Sequence, residues 1–272
     1  MITNEEIQAF ADEGTVVLRQ VLTKAEVESL QQAVAFVMNN PGPLSIQLSS
    51  EDNPSDFTED FRRWNDHKSI ERVACHSSLP KIASLLTKSS VIRFHHDHIL
   101  TRSVRNQQRT PWHQDQPYYD IEGTQTVSFW LPLDPVPKDE SIEVVAGTHQ
   151  GPWMMPRTFV DKEARWFPEG TLEEVPDIDR DRDSFQIRSW ELEPGDAICF
   201  SFLSLHAAPG TKKGRRTVSL RYVGEDVRRA QRPWQTSPPF PELDDQKDGL
   251  KDGDELNHPL FPVVWPKSLD SC

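Results

Sequence analysis

Cysteine is scarce in this sequence, and the three present, Cys75, Cys199 and Cys272, are odd in number and widely spaced. With no CxxC pair among them, neither a disulfide framework nor a zinc ribbon is expected. Positive charge is also in deficit: 30 Lys and Arg stand against 43 Asp and Glu, a formal net charge of -13. A nucleic-acid binder needs a basic face to neutralise phosphates, so no nucleic-acid partner is expected, and anionic membranes are disfavoured for the same reason. Long apolar runs are missing too, with none near the ~18 residues that would span a bilayer. The opening "MITNEEIQAFADEG" is acidic and lacks the basic and apolar regions of a signal peptide. A soluble, reducing, cytoplasmic setting is the expectation.

What is present is proline (22), tryptophan (8) and many short β-branched or aromatic runs, in a chain of 272 residues. That length suits one elaborated domain over 1–272, with helical support in 1–90, a β core in 91–224 and an extension in 225–272. Two capping boxes, Thr3 with Glu6 and Thr23 with Glu26, open the first helices. Val27, Leu30, Val34 and Val37 then recur at helical spacing up to Pro41, and "SSLPKIASLLTK" reads as a third, shorter helix. Residues 41–60 are rich in Pro, Ser and Asp and read as loop. From Val91 onward, "VIRFHHDHIL", "TQTVSFWLPL", "SIEVVAG", "SFQIRSWEL", "DAICFSFLSLH" and "RRTVSLRYVG" read as strands bounded by turn residues. No helices alternate with them, so the expected class is mainly β, with antiparallel strands in a small barrel or sandwich. An insertion at about 150–183, carrying Trp153, Met154, Met155, Phe159, Trp166 and Phe167, could form a lid or ordinary packing. The apolar tail "HPLFPVVWP" is expected to dock.

The chemistry centres on "TPWHQDQPYY", Thr110 to Tyr119. In extended chain His113 and Asp115 project to one side and Gln114 to the other, which makes an imidazole and a carboxylate neighbouring ligands for a divalent metal. His206, closing an apolar strand before a Pro-Gly turn, is the candidate third ligand. Two His and one carboxylate with open positions opposite is the arrangement of non-haem Fe(II) oxygenases. Nine residues after His206 comes Arg215, whose guanidinium entering a strand suits a carboxylate.

These blocks, with "TVSFWLPLDPVPKDESIEVVAGTHQG" and "GRRTVSLRYVGEDV", resemble the phytanoyl-CoA dioxygenase family over about residues 90–265. The resemblance implies a double-stranded β-helix (a jelly-roll or cupin-like barrel) with the N-terminal helices packed outside. It implies Fe(II), 2-oxoglutarate and O2 as reactants, and a metal triad of His113, Asp115 and His206. Arg215, in preference to Arg216, falls where the family binds the C5 carboxylate of 2-oxoglutarate; Trp130 falls beside the cosubstrate, and Gln114, facing away from the metal, meets the cosubstrate side or the shell. Two positions depart from the family pattern: Ala208 stands where many members have a cosubstrate-touching serine, and Thr148 replaces the serine of a "PGSH" block. Asp115 speaks against halogenation, because halogenases of this fold carry Gly or Ala there. The expected reaction is hydroxylation of a C–H bond in a small molecule, with release of succinate and CO2. The competing reading is a cupin-like metal barrel acting as a non-oxidative enzyme or a small-ligand binding protein, which has no need of a clamp at Arg215.

"HHDH", His95 to His98, suggests by strand alternation that His96 and His98 share one face and His95 and Asp97 the other, with Asp97 a hydrogen-bond acceptor behind the metal site. Arg62, Arg63, Arg102, Arg105, Arg109 and Arg157 are candidates for grasping a polar or anionic substrate. His76 and His149 read as structural.

Overall fold

The computed structural model describes residues 2–48, 56–157, 172–232 and 234–267. Phe159, Trp166, Phe167 and Cys272 therefore lie outside the described residues. In chain order the elements are α1 (Asn4–Glu13), β1 (Thr15–Leu18), α2 (Lys24–Asn39), β2 (Ile46–Gln47), β3 (Phe57–Phe61), α3 (Lys68–His76), α4 (Leu79–Thr87) and β4 (Ile92–Arg102). They continue with β5 (Ile121–Glu122), β6 (Thr126–Pro132), β7 (Glu143–Val145), β8 (Ile187–Arg188), β9 (Ala197–Phe200), β10 (His206–Ala207), β11 (Arg215–Val223), β12 (Arg228–Arg229) and β13 (Val263–Trp265).

Both capping boxes form, each threonine hydroxyl accepting the N–H of the glutamate three residues on. Gly14 ends α1 at φ +73, and a Cβ there would meet His149 Nδ1 at 2.4 Å, so both backbone conformation and space require glycine. Helix α3 was not anticipated. The loop expected over 41–60 contains instead β2 and β3, antiparallel to each other. The docking expected of the tail occurs through β13, which pairs with β4 and buries Phe261 and Val264 completely. Cys75 is disulfide-bonded, a pairing that the wide cysteine spacing did not predict, while Cys199 is free and buried.

The large sheet runs β1-β9-β6-β11-β4-β3-β2, with β13 joined to β4. A small sheet, β10-β7-β8, supplies a second wall. Alternation sorts the side chains of the large sheet into two sets. Val127, Phe129 and Leu131 of β6 and Val218, Leu220 and Tyr222 of β11 enter one core with the buried faces of the four helices. Trp130, Ile198 and Phe200 point the other way and pack on Val144 of β7 and on Ile142. Covered on both faces, β6 is buried at every position, which explains why its sequence is a nearly continuous apolar run. The architecture is the mainly β barrel expected, with helices outside.

Candidate metal centre

His113 and His206 are brought face to face by a reciprocal backbone pair: His113 N–H donates to His206 O at 3.0 Å, and His206 N–H to His113 O at 2.9 Å. The Asp115 and Gln116 N–H groups then both donate to Phe202 O, at 2.8 and 3.0 Å, which turns the chain so that Asp115 closes the set. His113 Nδ1 lies 2.8 Å from Pro111 O and His206 Nδ1 2.9 Å from Ser204 O. With Nδ1–H donating to a carbonyl in each ring, the lone pair belongs to Nε2. These Nε2 atoms stand 3.8 and 3.6 Å from Asp115 Oδ1. One ligand atom from each residue lies within 4.8 Å of the others, so the three can hold one metal ion; among the described residues no other His, Cys, Asp and Glu set does so.

The electrostatics suit a cation. Burial, and then the neighbouring His206, push the His113 pKa down to about 3; burial lowers His206 as well. Both rings are thus neutral ligands at ordinary pH. Burial alone would raise Asp115, but Arg221, followed by His206 and His113, holds it at about 2. Arg221 grips the oxygen that faces away from the histidines, with Nε and Nη2 at 3.1 and 3.0 Å from Oδ2. It was missed by the sequence reading, although the signal exists: six residues after Arg215 on one strand, it must share that residue's face.

A cavity of about 640 Å³, including its open mouth, runs from the triad between the sheets. Trp130, Ile142, Thr110, Ala208, Phe200, Phe61, Glu59, His98, Tyr118, Tyr119 and Arg221 are among the residues that line it. Arg215 lies beyond Trp130, its guanidinium carbon 5.6 Å from the ring centroid, and is 5 % exposed. It donates to the carbonyl oxygens of Glu140 and Pro209, and among the described residues no carboxylate pairs with it. Burial pulls its pKa to about 10, with the Glu140 charge acting the other way, so it stays positive at neutrality. Arg216 is paired with Asp134, at 2.6 Å.

Other expectations are corrected. Gln114 does face away from the triad, but its amide is committed to backbone: Nε2 donates to Pro152 O and Leu203 O, and Oε1 accepts from Met154 N–H. Of the two places expected for it, these contacts fit the shell, where it holds the start of the insertion. The described part of the insertion does not roof the cavity; Met154 packs with Trp112, Val145 and Ile178. Thr148 ties β7 to the His206 segment, donating to Val145 O and accepting Leu205 N–H. The alternation read into "HHDH" holds from His96 to His98 but fails at His95, because the β4–β11 register shifts between Arg221 and Tyr222. As a result His95 and His96 both turn to Tyr119 and Phe240, and only His98 lines the cavity. Asp97 accepts the N–H groups of Arg63 and Trp64 on the far face, remote from the metal ligands. Of the arginines expected to grasp substrate, Arg62 pairs with Glu242, Arg63 with Asp60 and Asp66, Arg109 with Glu143, and Arg157 with Glu174. Arg102 is stacked on Phe57 at 3.8 Å and bonded to Asn106.

The phytanoyl-CoA dioxygenase (PhyH) family model matches residues 10–217. The chain belongs to that family. Among solved structures it is similar to the non-heme alpha-ketoglutarate-dependent carbocyclase SnoK from nogalamycin biosynthesis (TM-score 0.75, 18% identity, 97% of this chain and 96% of that one). It is also similar to the epimerase SnoN in complex with Fe3+, alpha-ketoglutarate and nogalamycin RO (TM-score 0.71, 17% identity, 96% and 97%). A third is EctD from S. alaskensis with 2-oxoglutarate and 5-hydroxyectoine (TM-score 0.67, 19% identity, 93% and 86%). At such identities the likeness concerns the fold, a double-stranded β-helix. No curated protein matches the chain. No helix among the described residues is long and apolar enough to cross a membrane.

Proposed function

We propose that the protein is an Fe(II)- and 2-oxoglutarate-dependent dioxygenase that hydroxylates a C–H bond of a small molecule, releasing succinate and CO2. The observation that carries this reading is the facing of His113 and His206 across one backbone bridge, with both Nε2 atoms aimed at Asp115 Oδ1 inside a cavity. Two imidazoles and one carboxylate on one side of a point fit a first-row divalent ion with open positions, and family membership points to iron. Bound iron would supply the site at which O2 is activated at the expense of 2-oxoglutarate.

The chain's own part is to bind, orient and exclude water. The Pro111 and Ser204 carbonyls fix the tautomers of the two histidines, and Arg221 fixes the carboxylate. Arg215, buried and without a carboxylate of its own, would take the C5 carboxylate of 2-oxoglutarate beside Trp130. Ala208 offers no hydroxyl there. Phe61, Tyr118, Tyr119 and Phe200 make the remaining walls largely apolar, which keeps water from the reacting centre. Small-molecule substrate and O2 are the partners this cavity needs.

The test is succinate formation and oxygen uptake by the Fe(II)-loaded protein with 2-oxoglutarate, and a weak visible charge-transfer band on anaerobic addition of 2-oxoglutarate. His113→Ala should abolish all three. Arg215→Ala should raise the KM for 2-oxoglutarate by about 10- to 100-fold, the loss of one charge-assisted pair. Wild-type protein that gains no band and consumes no 2-oxoglutarate with any compound in a substrate panel sinks the reading. A product heavier by one oxygen atom marks hydroxylation; unchanged or dehydrogenated mass marks epimerisation or ring closure, outcomes that the printed activities of SnoN and SnoK bring into view.

A further inference from the structure

The cavity holds a second buried charge with no counterpart in the chemistry described so far. Glu59, on the inner face of β3, is 3 % exposed and lines the cavity with Phe61 and His98. Its buried Oε1 makes no well-aligned hydrogen bond, and its nearest partner is Nε2 of His98, 3.3 Å away. His98 is itself fixed: its ring stacks on Phe61 with centroids 4.0 Å apart, and its Nδ1 lies 3.4 Å from Arg221 Nη2. Arg221 in turn is bonded to Asp115, and Arg102 to Asn106 and the Gln108 carbonyl; neither guanidinium is hydrogen-bonded to Glu59, though both feel its charge.

A buried carboxylate whose nearest donor is a single imidazole nitrogen at 3.3 Å is incompletely satisfied, and a ligand that supplies a better-aligned donor recovers part of its desolvation cost. The location tells which ligand. Arg215 and Trp130 lie together on β11 and β6, where the anionic cosubstrate would sit, whereas Glu59 is on β3, beyond β4 in the sheet order. Glu59 and His98 adjoin the Asp115–Arg221 pair, with Leu100, Phe61, Tyr118 and Tyr119 around them. We infer that Glu59, positioned by His98, selects a substrate with a compact apolar body and a hydrogen-bond donor, an ammonium or hydroxyl group, and turns away one that presents a carboxylate there. This rests on the oxygenase reading and gives its substrate class. It narrows the polar or anionic substrate suggested by the arginines, most of which are paired elsewhere, to the polar alternative. Both donor groups serve the same acceptor, and ammonium is expected to bind the tighter because it also answers the charge.

Four probes on one skeleton test it: cyclohexylmethylamine, cyclohexylmethanol, ethylcyclohexane and cyclohexylacetate. Binding to the Fe(II)- and 2-oxoglutarate-loaded protein under nitrogen is read by calorimetry, with tryptophan fluorescence as a second readout because Trp130 lines the cavity. Wild type should prefer the amine and alcohol over the methyl and carboxylate compounds by at least tenfold. Glu59→Gln, of the same shape, should reduce the amine preference to about threefold or less and weaken rejection of the carboxylate. His98→Asn, which loosens Glu59 without removing it, should give an intermediate ratio, guarding against a folding defect in the first variant. Equal affinities, failure of every probe to bind at millimolar concentration, or a preference that survives Glu59→Gln overturns the inference. The underlying oxygenase reading is judged separately, by wild-type 2-oxoglutarate consumption.

Discussion

Two pairs of buried histidines lie in this barrel, and they differ in what the two nitrogens of each ring meet. His113 and His206, with ring centroids 4.2 Å apart, give Nδ1 to backbone carbonyls and present Nε2 to a carboxylate. His95 and His96, with centroids 4.7 Å apart, give Nδ1 to each other at 2.7 Å and bury both Nε2 atoms without a partner. Around the second pair stand Tyr119, Phe240 and Phe261, the last stacked on His95 at 5.1 Å. Burial and depressed basicity do not separate the pairs, since desolvation takes both His113 and His95 down to about 3. What separates them is direction: lone pairs that converge on a carboxylate make a metal centre, and lone pairs that face aromatic rings make packing.

The largest effect that could break this comparison is on metal content. His113→Ala should purify with essentially no bound iron after reconstitution, whereas His95→Phe, which keeps an aromatic ring in its aromatic nest, should hold about one iron per chain. Inductively coupled plasma analysis of the two variants decides it. If His95→Phe loses iron as completely as His113→Ala does, the second pair belongs to the metal centre and the distinction fails.

A smaller effect concerns Arg221. It contacts Asp115 but neither histidine by hydrogen bond within the triad, so its removal should leave three ligands present and poorly oriented. Arg221→Leu is expected to weaken iron about 10- to 100-fold in competition with a chelator, and Arg221→Lys less than that, since one ammonium cannot reproduce the two-nitrogen grip on Oδ2. Unchanged affinity in Arg221→Leu would mean that the Phe202 carbonyl, which holds the Asp115 N–H at 2.8 Å, suffices to aim the carboxylate.

The difference between the pairs was only half legible in the sequence. His113, Asp115 and His206 could be found because HxD places two ligands on one side of an extended chain, and because a strand-closing His followed by Arg215 lies at a known separation. Both capping boxes were equally visible, being contained within four residues each. His95 could not be placed, since alternation assumes an unbroken ladder and the bulge on β4 is set by its register with β11, more than a hundred residues on. Glu59 was hidden in a stretch whose prolines and serines read as loop, although Phe57, Glu59 and Phe61 alternate as a strand with one face inward. The substrate arginines misled for a related reason. A positive charge is visible in sequence, but the carboxylate that occupies it comes from elsewhere in the fold, as Glu242 does for Arg62 across 180 positions.

The smallest effect sharpens the comparison through pH. A His whose folded pKa lies below its unfolded value stays neutral in the fold and takes up a proton on unfolding. Its contribution to stability is therefore present above the unfolded pKa of about 6.5 and is lost as pH falls toward the folded value. For His95 that window runs from about 6.5 down to about 3, and burial, then Arg221 and Arg62, produce the shift. Within it the unfolded chain holds one more proton at this site, so unfolding free energy should decline by about 1.4 kcal/mol per pH unit from this residue alone. His95→Phe removes the titrating group and should flatten the slope by about that amount between pH 6 and 4, measured by urea unfolding of iron-free protein. His96 is displaced in the same direction, by burial and then by His95, so the double replacement should flatten the slope further. A slope that His95→Phe leaves unaltered would mean that the pair takes up a proton without unfolding, which would make its Nδ1 contact a charged bridge instead of neutral packing.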